Sequence, residues 1–226
     1  MKIILYLFHR QPNRFNIIIM PILLTFLMMV MYGVRVFYTQ DTYYGFLLWN
    51  LFLAWLPVVF AFWAYRNYHS GYNTIGILAP ALLWLLFFPN APYLITDLIH
   101  MRSRAGIPTW YDAVLVFGYA FTGFMTGLVS LNLIHSILQQ VLSSWLSWLM
   151  ITLLMVMSSY GIYLGRVLRW NSWDRFLSPV PIINDVQDTL FTPASFAMTM
   201  LFSALMGITY PFLFYFARTA QKNNAS

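Results

Sequence analysis

The chain contains no cysteine and no glutamate, and only 8% of its 226 residues carry a charge. Without cysteine there can be neither disulfides nor thiolate metal sites, and the redox compartment is left open. Without glutamate, all acidic chemistry falls to six aspartates, at 41, 97, 112, 174, 185 and 188. A soluble domain carries about 25% charged residues, so this scarcity excludes an ordinary soluble globule. There is also no phosphate-binding glycine loop, no His-Glu-x-x-His, no Gly-x-Ser-x-Gly, no internal repeat and no second domain.

What the chain does have is apolar length. It is 61% hydrophobic and 19% aromatic, with mean hydropathy +0.69. A membrane span needs about 20 uncharged residues. Uncharged runs cover 15–34, 42–65, 67–96, 113–165 and 189–217. The 53-residue run is long enough for two spans and a turn near Gln139-Gln140 to Ser147. The expected fold is therefore an all-α integral membrane bundle of about six helices, near 17–34, 44–65, 75–95, 112–137, 146–165 and 193–216. It is read as a single transmembrane domain over 1–226, with an interfacial N-terminal segment over 1–16 and a polar tail over 218–226 that frays from Lys222. The first helix is expected to be retained. Residues 3–8 are too short for a signal-peptide core, and Tyr32-Gly33-Val34 offers no small-x-small cleavage site.

The net charge of +6 does not call for nucleic acid. Twelve cations spread over short loops suit topology signals and contacts with membrane lipids. Orientation is balanced. With the N-terminus in the cytoplasm, Lys2, Arg10, Arg14, Arg66, Arg218 and Lys222 lie inside, and Arg35, Arg102, Arg104, Arg166, Arg169 and Arg175 outside. The three cations ahead of the first helix, against Arg35 after it, favour a cytoplasmic N-terminus. One result is independent of this choice. With six spans, the first, third and fifth loops share a side, so all six aspartates and His100 fall on one face.

Polar groups are costly in lipid, so their placement is informative. The stretch Phe88-Pro89-Asn90-Ala91-Pro92-Tyr93-Leu94-Ile95-Thr96-Asp97-Leu98-Ile99-His100 puts two prolines, an amide, an acid and an imidazole at the end of an apolar run. The prolines should break or kink the third helix, and the Asn90 amide can serve a carbonyl they free. One reading is a satisfied kink that only shapes the bundle. The other is a discontinuous helix whose exposed backbone lines a site. Asp97 and His100, three apart, would share a helical face. They are the catalytic candidates if there is catalysis, by acid–base work or as metal ligands, although two ligands at this spacing are a weak metal signal and no metal is assigned. The second cluster runs from Gly161 to Arg175. Arg166 and Arg169 should project from one face at the end of the fifth helix, and guanidinium forks suit carboxylates and phosphates. The cluster reads either as an interfacial belt with Trp170 and Trp173, or as arginines pairing with Asp97 or Asp112 across the loops. Asp112 also suits capping of the fourth helix, and 185–188 suits a solvated turn. Gly123 and Gly127, and Gly161 and Gly165, carry the spacing that lets helices approach closely.

These stretches resemble a family of bacterial multipass membrane proteins, domain of unknown function 1361. The resemblance rests on Phe88 through Leu98, on Trp110-Tyr111-Asp112, and on Gly161 through Asp174 with its Arg-Trp-Asn-Ser-Trp-Asp core. It extends over most of the chain from the second helix onward. It implies a bacterial cytoplasmic membrane protein and brings no activity, substrate, cofactor or catalytic residue.

The leading expectation is a binding or assembly protein. Its polar pocket would be built from Asn90, Tyr93, Asp97, His100, Asp112, Arg166, Arg169, Asn171 and Asp174, and would hold an anionic lipid or envelope-precursor headgroup. An unidentified membrane protein is a further candidate partner, encoded elsewhere. The rival expectations are a membrane enzyme acting on lipid or polyprenyl phosphate, and a small transporter built around the broken third helix. Whether the chain is an enzyme, and which cofactor it would use, stays open at this stage.

Overall fold

The computed structural model describes residues 12–102, 106–170 and 179–223, with side chains for 18–102, 106–170, 181 and 184–215. Among these residues every element is helical and there is no strand. Six helical stretches are long and apolar enough to cross a membrane: Ile18–Thr39, Gly45–His69, Thr74–His100, Thr109–Val141, Ser144–Arg166 and Pro193–Tyr215. In hydrocarbon every backbone N–H and C=O must be satisfied within the segment, and only the helix does this for a lone span. The uncharged runs of the sequence therefore become helices.

The helices are α1 (Pro12–Thr39), α2 (Gly45–His69), α3 (Thr74–Phe87), a one-turn α4 (Asn90–Tyr93), a 3-10 stretch (Leu94–His100), α5 (Thr109–Val141), α6 (Ser144–Arg166), α7 (Pro179–Thr189) and α8 (Pro193–Asn223). The helix α3 starts where Asn73 Oδ1 accepts from the Gly76 N–H at 3.0 Å. Ser143 Oγ does the same for the Leu146 N–H at 3.4 Å, so the tight turn between α5 and α6 falls at Leu142-Ser143. It lies inside the expected 139–147 window. The helix α8 runs through Asn223. Residues 1–11 and 224–226 of the expected terminal segments lie outside the described residues.

Span three breaks where the two prolines fall. Proline has no N–H and its ring clashes with the preceding turn, so α3 ends at Phe87 and the chain restarts as α4 and then as 3-10. The Asn90 amide donates to the Phe87 carbonyl at 2.9 Å, and the Ala91 N–H reaches the Phe88 carbonyl at 3.2 Å. The kink is thus satisfied locally, as the sequence suggested for Asn90.

The bundle is organised around α5. In its most apolar window 72% of residues are buried, against 17–39% in the other five spans. Small residues explain how so many helices reach it. A Cβ on Gly127 would lie 2.9 Å from Ala91 Cβ, and one on Gly123 would lie 3.0 Å from the Ala91 carbonyl. A Cβ on Gly118 would run into the Met28 side chain. The glycine spacing on α5 is therefore a notch that seats the broken part of span three. Polar ties reinforce the packing: Trp84 Nε1 donates to Ser130 Oγ at 3.1 Å, Tyr111 Oη to the Met31 carbonyl at 2.8 Å, and Trp55 Nε1 to Thr25 Oγ1 at 3.0 Å.

The stretch 185–188 departs from the expected solvated turn. It belongs to the last turns of α7. Trp170 Nε1 donates to Asp185 Oδ2 at 2.7 Å, and Thr189 Oγ1 to the Asp185 carbonyl at 2.6 Å, so the acid is used to dock α7 beside the end of α6.

Candidate functional site

Six spans put the first, third and fifth loops on one side, and two buried ion pairs form there. The first joins α6 to span three. Arg166 Nη1 donates to Tyr93 Oη at 3.0 Å and to Asp97 Oδ1 at 3.2 Å. Arg166 Nη2 donates to the Thr96 carbonyl at 2.7 Å and meets His100 Nε2 at 3.0 Å. A guanidinium can only donate, so Nε2 of His100 is the acceptor in this contact. Four of the five guanidinium N–H donors are thereby engaged. The other carboxylate oxygen of Asp97 accepts from Asn50 Nδ2 of α2 at 2.7 Å. The Tyr93 ring lies under the Arg166 guanidinium at 5.4 Å, and Phe46 packs its ring against His100 at 5.3 Å.

This arrangement follows from local structure. The proline break turns the end of span three into a 3-10 stretch, where side chains three apart eclipse. Tyr93 Oη, the Thr96 carbonyl and His100 Nε2 then present acceptors to one guanidinium while Asp97 is 99% buried beside them. Arg166 is the last residue of α6. Its side chain is 16% exposed, whereas that of Asp97 is 1% exposed. An ion pair this buried needs further hydrogen bonds to offset desolvation, and Asn50, Tyr93 and the Thr96 carbonyl supply them.

The second pair joins α1 to α5. Arg35 Nε donates to Asp112 Oδ1 at 2.8 Å and Nη2 to Oδ2 at 3.4 Å, with both side chains buried. Arg35 Nη1 also donates to the Asp41 carbonyl at 3.1 Å, and the Asp41 carboxylate approaches within 3.8 Å. The Tyr44 ring covers the guanidinium at 4.6 Å. Burial pushes the Tyr44 phenol up from its ordinary value, so it stays neutral as a hydrogen-bonding partner of the Arg102 backbone.

The sequence candidates thus divide. Tyr93, Asp97, His100 and Arg166 come together. Asn90 serves the kink of span three. Asp112 sits in the first turn of α5, as expected for a capping acid, but its carboxylate is held by Arg35 and not by Arg166 or Arg169. Arg169 is exposed, adopts a left-handed φ of 61°, and has no ion pair among the described residues. The turn that carries it is closed by the Trp170 N–H on the Leu164 carbonyl at 3.1 Å. Asn171 and Asp174 lie outside the described residues. Among the described residues no three His or Asp side chains gather closely enough to hold a metal ion. The sequence reading missed Asn50, Arg35 and Tyr44. The signal for Asn50 was available: it is an amide in the second turn of an otherwise apolar span, and a polar group there requires a partner.

No curated protein and no solved structure matches the chain. The matching family is described as Protein of unknown function (DUF1361), over residues 49–209. That span contains Asn50, Tyr93, Asp97, His100, Asp112 and Arg166, while Arg35 and Asp41 precede it. With the match covering well over half its length, this six-span membrane chain belongs to that family.

Proposed function

We propose that the chain is a non-catalytic binding protein of a bacterial plasma membrane, which takes an anionic lipid or envelope-precursor headgroup at the face where the third and fifth loops meet. The observation that carries this reading is the Arg166–Asp97–His100 node beside the exposed Arg169. The cations here do two kinds of work. Arg166 is consumed by its own protein partners and fixes the shape of the face. Arg169 and Arg102 are exposed and have no ion pair among the described residues, so their donors meet whatever lies at headgroup depth. Trp110 is 66% exposed on the same face, which suits an interfacial aromatic.

The geometry gives less support to catalysis by Asp97. Both of its oxygens are occupied, by Arg166 and Asn50, and it is buried. A base must lie within hydrogen-bond reach of a substrate proton, and Asp97 is only 1% exposed.

The test is binding of short-chain phosphatidylglycerol, against phosphatidylcholine, to the purified full chain in neutral detergent. Each cation at the surface contributes about 1 kcal/mol toward an anionic headgroup, which is about fivefold in Kd. Arg169→Gln and Arg102→Gln should each weaken phosphatidylglycerol binding by about fivefold and leave phosphatidylcholine binding unchanged. Equal affinity for the two lipids in the unmodified protein would overturn the reading.

A further inference from the structure

Among the described residues, two that are not glycine hold a left-handed backbone: Gln40 at φ 52° and Arg169 at φ 61°. Each follows the end of a spanning helix, α1 and α6. Glycine is the usual occupant of such a position, because an L side chain there crowds the next carbonyl. Gln40 gains from its conformation. Its Nε2 donates to the Phe37 carbonyl at 2.8 Å and its backbone N–H to the Val36 carbonyl at 2.8 Å, so the side chain helps to close α1. Arg169 is different. Its side chain is exposed and makes no hydrogen bond or ion pair with the described residues.

The rest of the turn holds Arg169 in place. The Trp170 N–H returns to the Leu164 carbonyl at 3.1 Å, and Trp170 Nε1 donates to Asp185 Oδ2 of α7 at 2.7 Å. A Cβ on Gly165 would lie 3.6 Å from both the Trp170 carbonyl and the Tyr93 ring, and Tyr93 is itself bonded to Arg166. The chain beside residue 169 is thus pinned to α6, to α7 and to the Arg166 node, and the left-handed residue carries it from one anchor to the next. Strain of this kind persists where the surroundings over-determine it, and it clusters where ligands are held. The turn favours a glycine, and the protein keeps there a guanidinium that serves no described part of the fold.

We propose that Arg169 is the specificity-determining residue of the headgroup site and that the strained turn after α6 is its mount. The turn fixes where the guanidinium stands relative to the Arg166 node, so the phosphate of an anionic lipid is recognised by position as well as by charge. A planar fork held at one place matches the paired oxygens of a phosphate, which a mobile point charge does not. This rests on the headgroup reading above and goes beyond it, because a cation of the same charge placed elsewhere in the turn does not replace Arg169.

The test uses the full chain in neutral detergent, with denaturant unfolding to read the turn and short-chain phosphatidylglycerol binding to read the guanidinium. Arg169→Gly relieves the left-handed side chain, so the folded-to-unfolded ratio should rise by about two- to fivefold, while phosphatidylglycerol binding weakens by about fivefold. Arg169→Gln keeps the strained backbone and loses only the charge, so its stability should stay that of the unmodified protein. Val167→Arg/Arg169→Gly returns a cation two residues earlier, at an exposed position with ordinary right-handed backbone, and binding should stay as weak as in Arg169→Gly. Failure of Arg169→Gly to gain stability overturns the proposal, as does a loss of stability in Arg169→Gln, since the side chain would then serve the fold. Full restoration of binding by the moved arginine overturns it too. In each of these cases a kept preference for phosphatidylglycerol over phosphatidylcholine in the unmodified protein leaves the headgroup reading standing. Equal affinity for the two lipids removes that reading, and the proposal with it.

Discussion

At the scale of single residues, the two ion pairs differ in what their loss should do. Arg35 and Asp112 are both buried, and the guanidinium is also tied to the Asp41 carbonyl and covered by Tyr44. Removing one member of such a pair leaves an uncompensated buried charge, which costs about 3–5 kcal/mol, while replacing both by apolar residues of similar size is often close to neutral. Asp112→Asn and Arg35→Gln should each lower stability by about that amount, and Arg35→Met/Asp112→Leu should recover most of it. Denaturant unfolding in mixed micelles measures this; a double variant as unstable as the singles would show that the charges themselves are required. The contrast also explains what the sequence disclosed. Asp97 and Arg166 stood out because each ends a long uncharged run and loop parity puts them on one face. Arg35 ends such a run too, but a lone arginine after a first span reads as a headgroup or topology charge. Only the path of α1 across α5 reveals that Asp112 waits for it. Asn50 was hidden for a related reason: an amide carries no formal charge, so a search by charge passes over it.

At the scale of elements, the position of the Arg166 node depends on how the broken span is seated. The 3-10 stretch that carries Asp97 and His100 follows directly from α4, and α4 is held by Ala91 in the Gly123–Gly127 notch of α5. The sequence displayed both parts, the prolines and the glycine spacing, yet read them as separate features. Spacing within one helix does not say which partner fills the notch. Gly127→Ala should push α4 outward, since its Cβ would meet Ala91 Cβ at 2.9 Å. Overpacking of this kind costs about 1–3 kcal/mol. Ala91→Gly in the same chain removes the opposing methyl and should restore most of the lost stability. Gly123→Ala meets the Ala91 backbone carbonyl instead, at 3.0 Å, so Ala91→Gly should not rescue it. Thermal unfolding of the four variants tests this pattern, and rescue of both glycine changes alike would show that the notch acts through general loosening.

At the scale of the whole molecule, the two pairs take up cations of one face. On the face of the first, third and fifth loops, Arg35 and Arg166 are consumed by Asp112 and Asp97. That leaves four cations by sequence on this face, at 102, 104, 169 and 175, against six on the other, at 2, 10, 14, 66, 218 and 222. Topology follows the count of Lys and Arg and not net charge, so a cytoplasmic N-terminus with an outward-facing Arg166 node is the arrangement to test. Because the chain has no cysteine, single introduced thiols report topology without background. With an impermeant maleimide on intact cells, Thr42→Cys, Thr109→Cys and Gln187→Cys, all exposed and on the node's face, should label directly. Tyr72→Cys and Ser144→Cys, exposed at the opposite ends of the spans, should label only after permeabilisation. The reverse pattern would turn the node toward the cytoplasm and confine its headgroup partners to the inner leaflet. A split within the first set would break the six-span count on which the shared face depends.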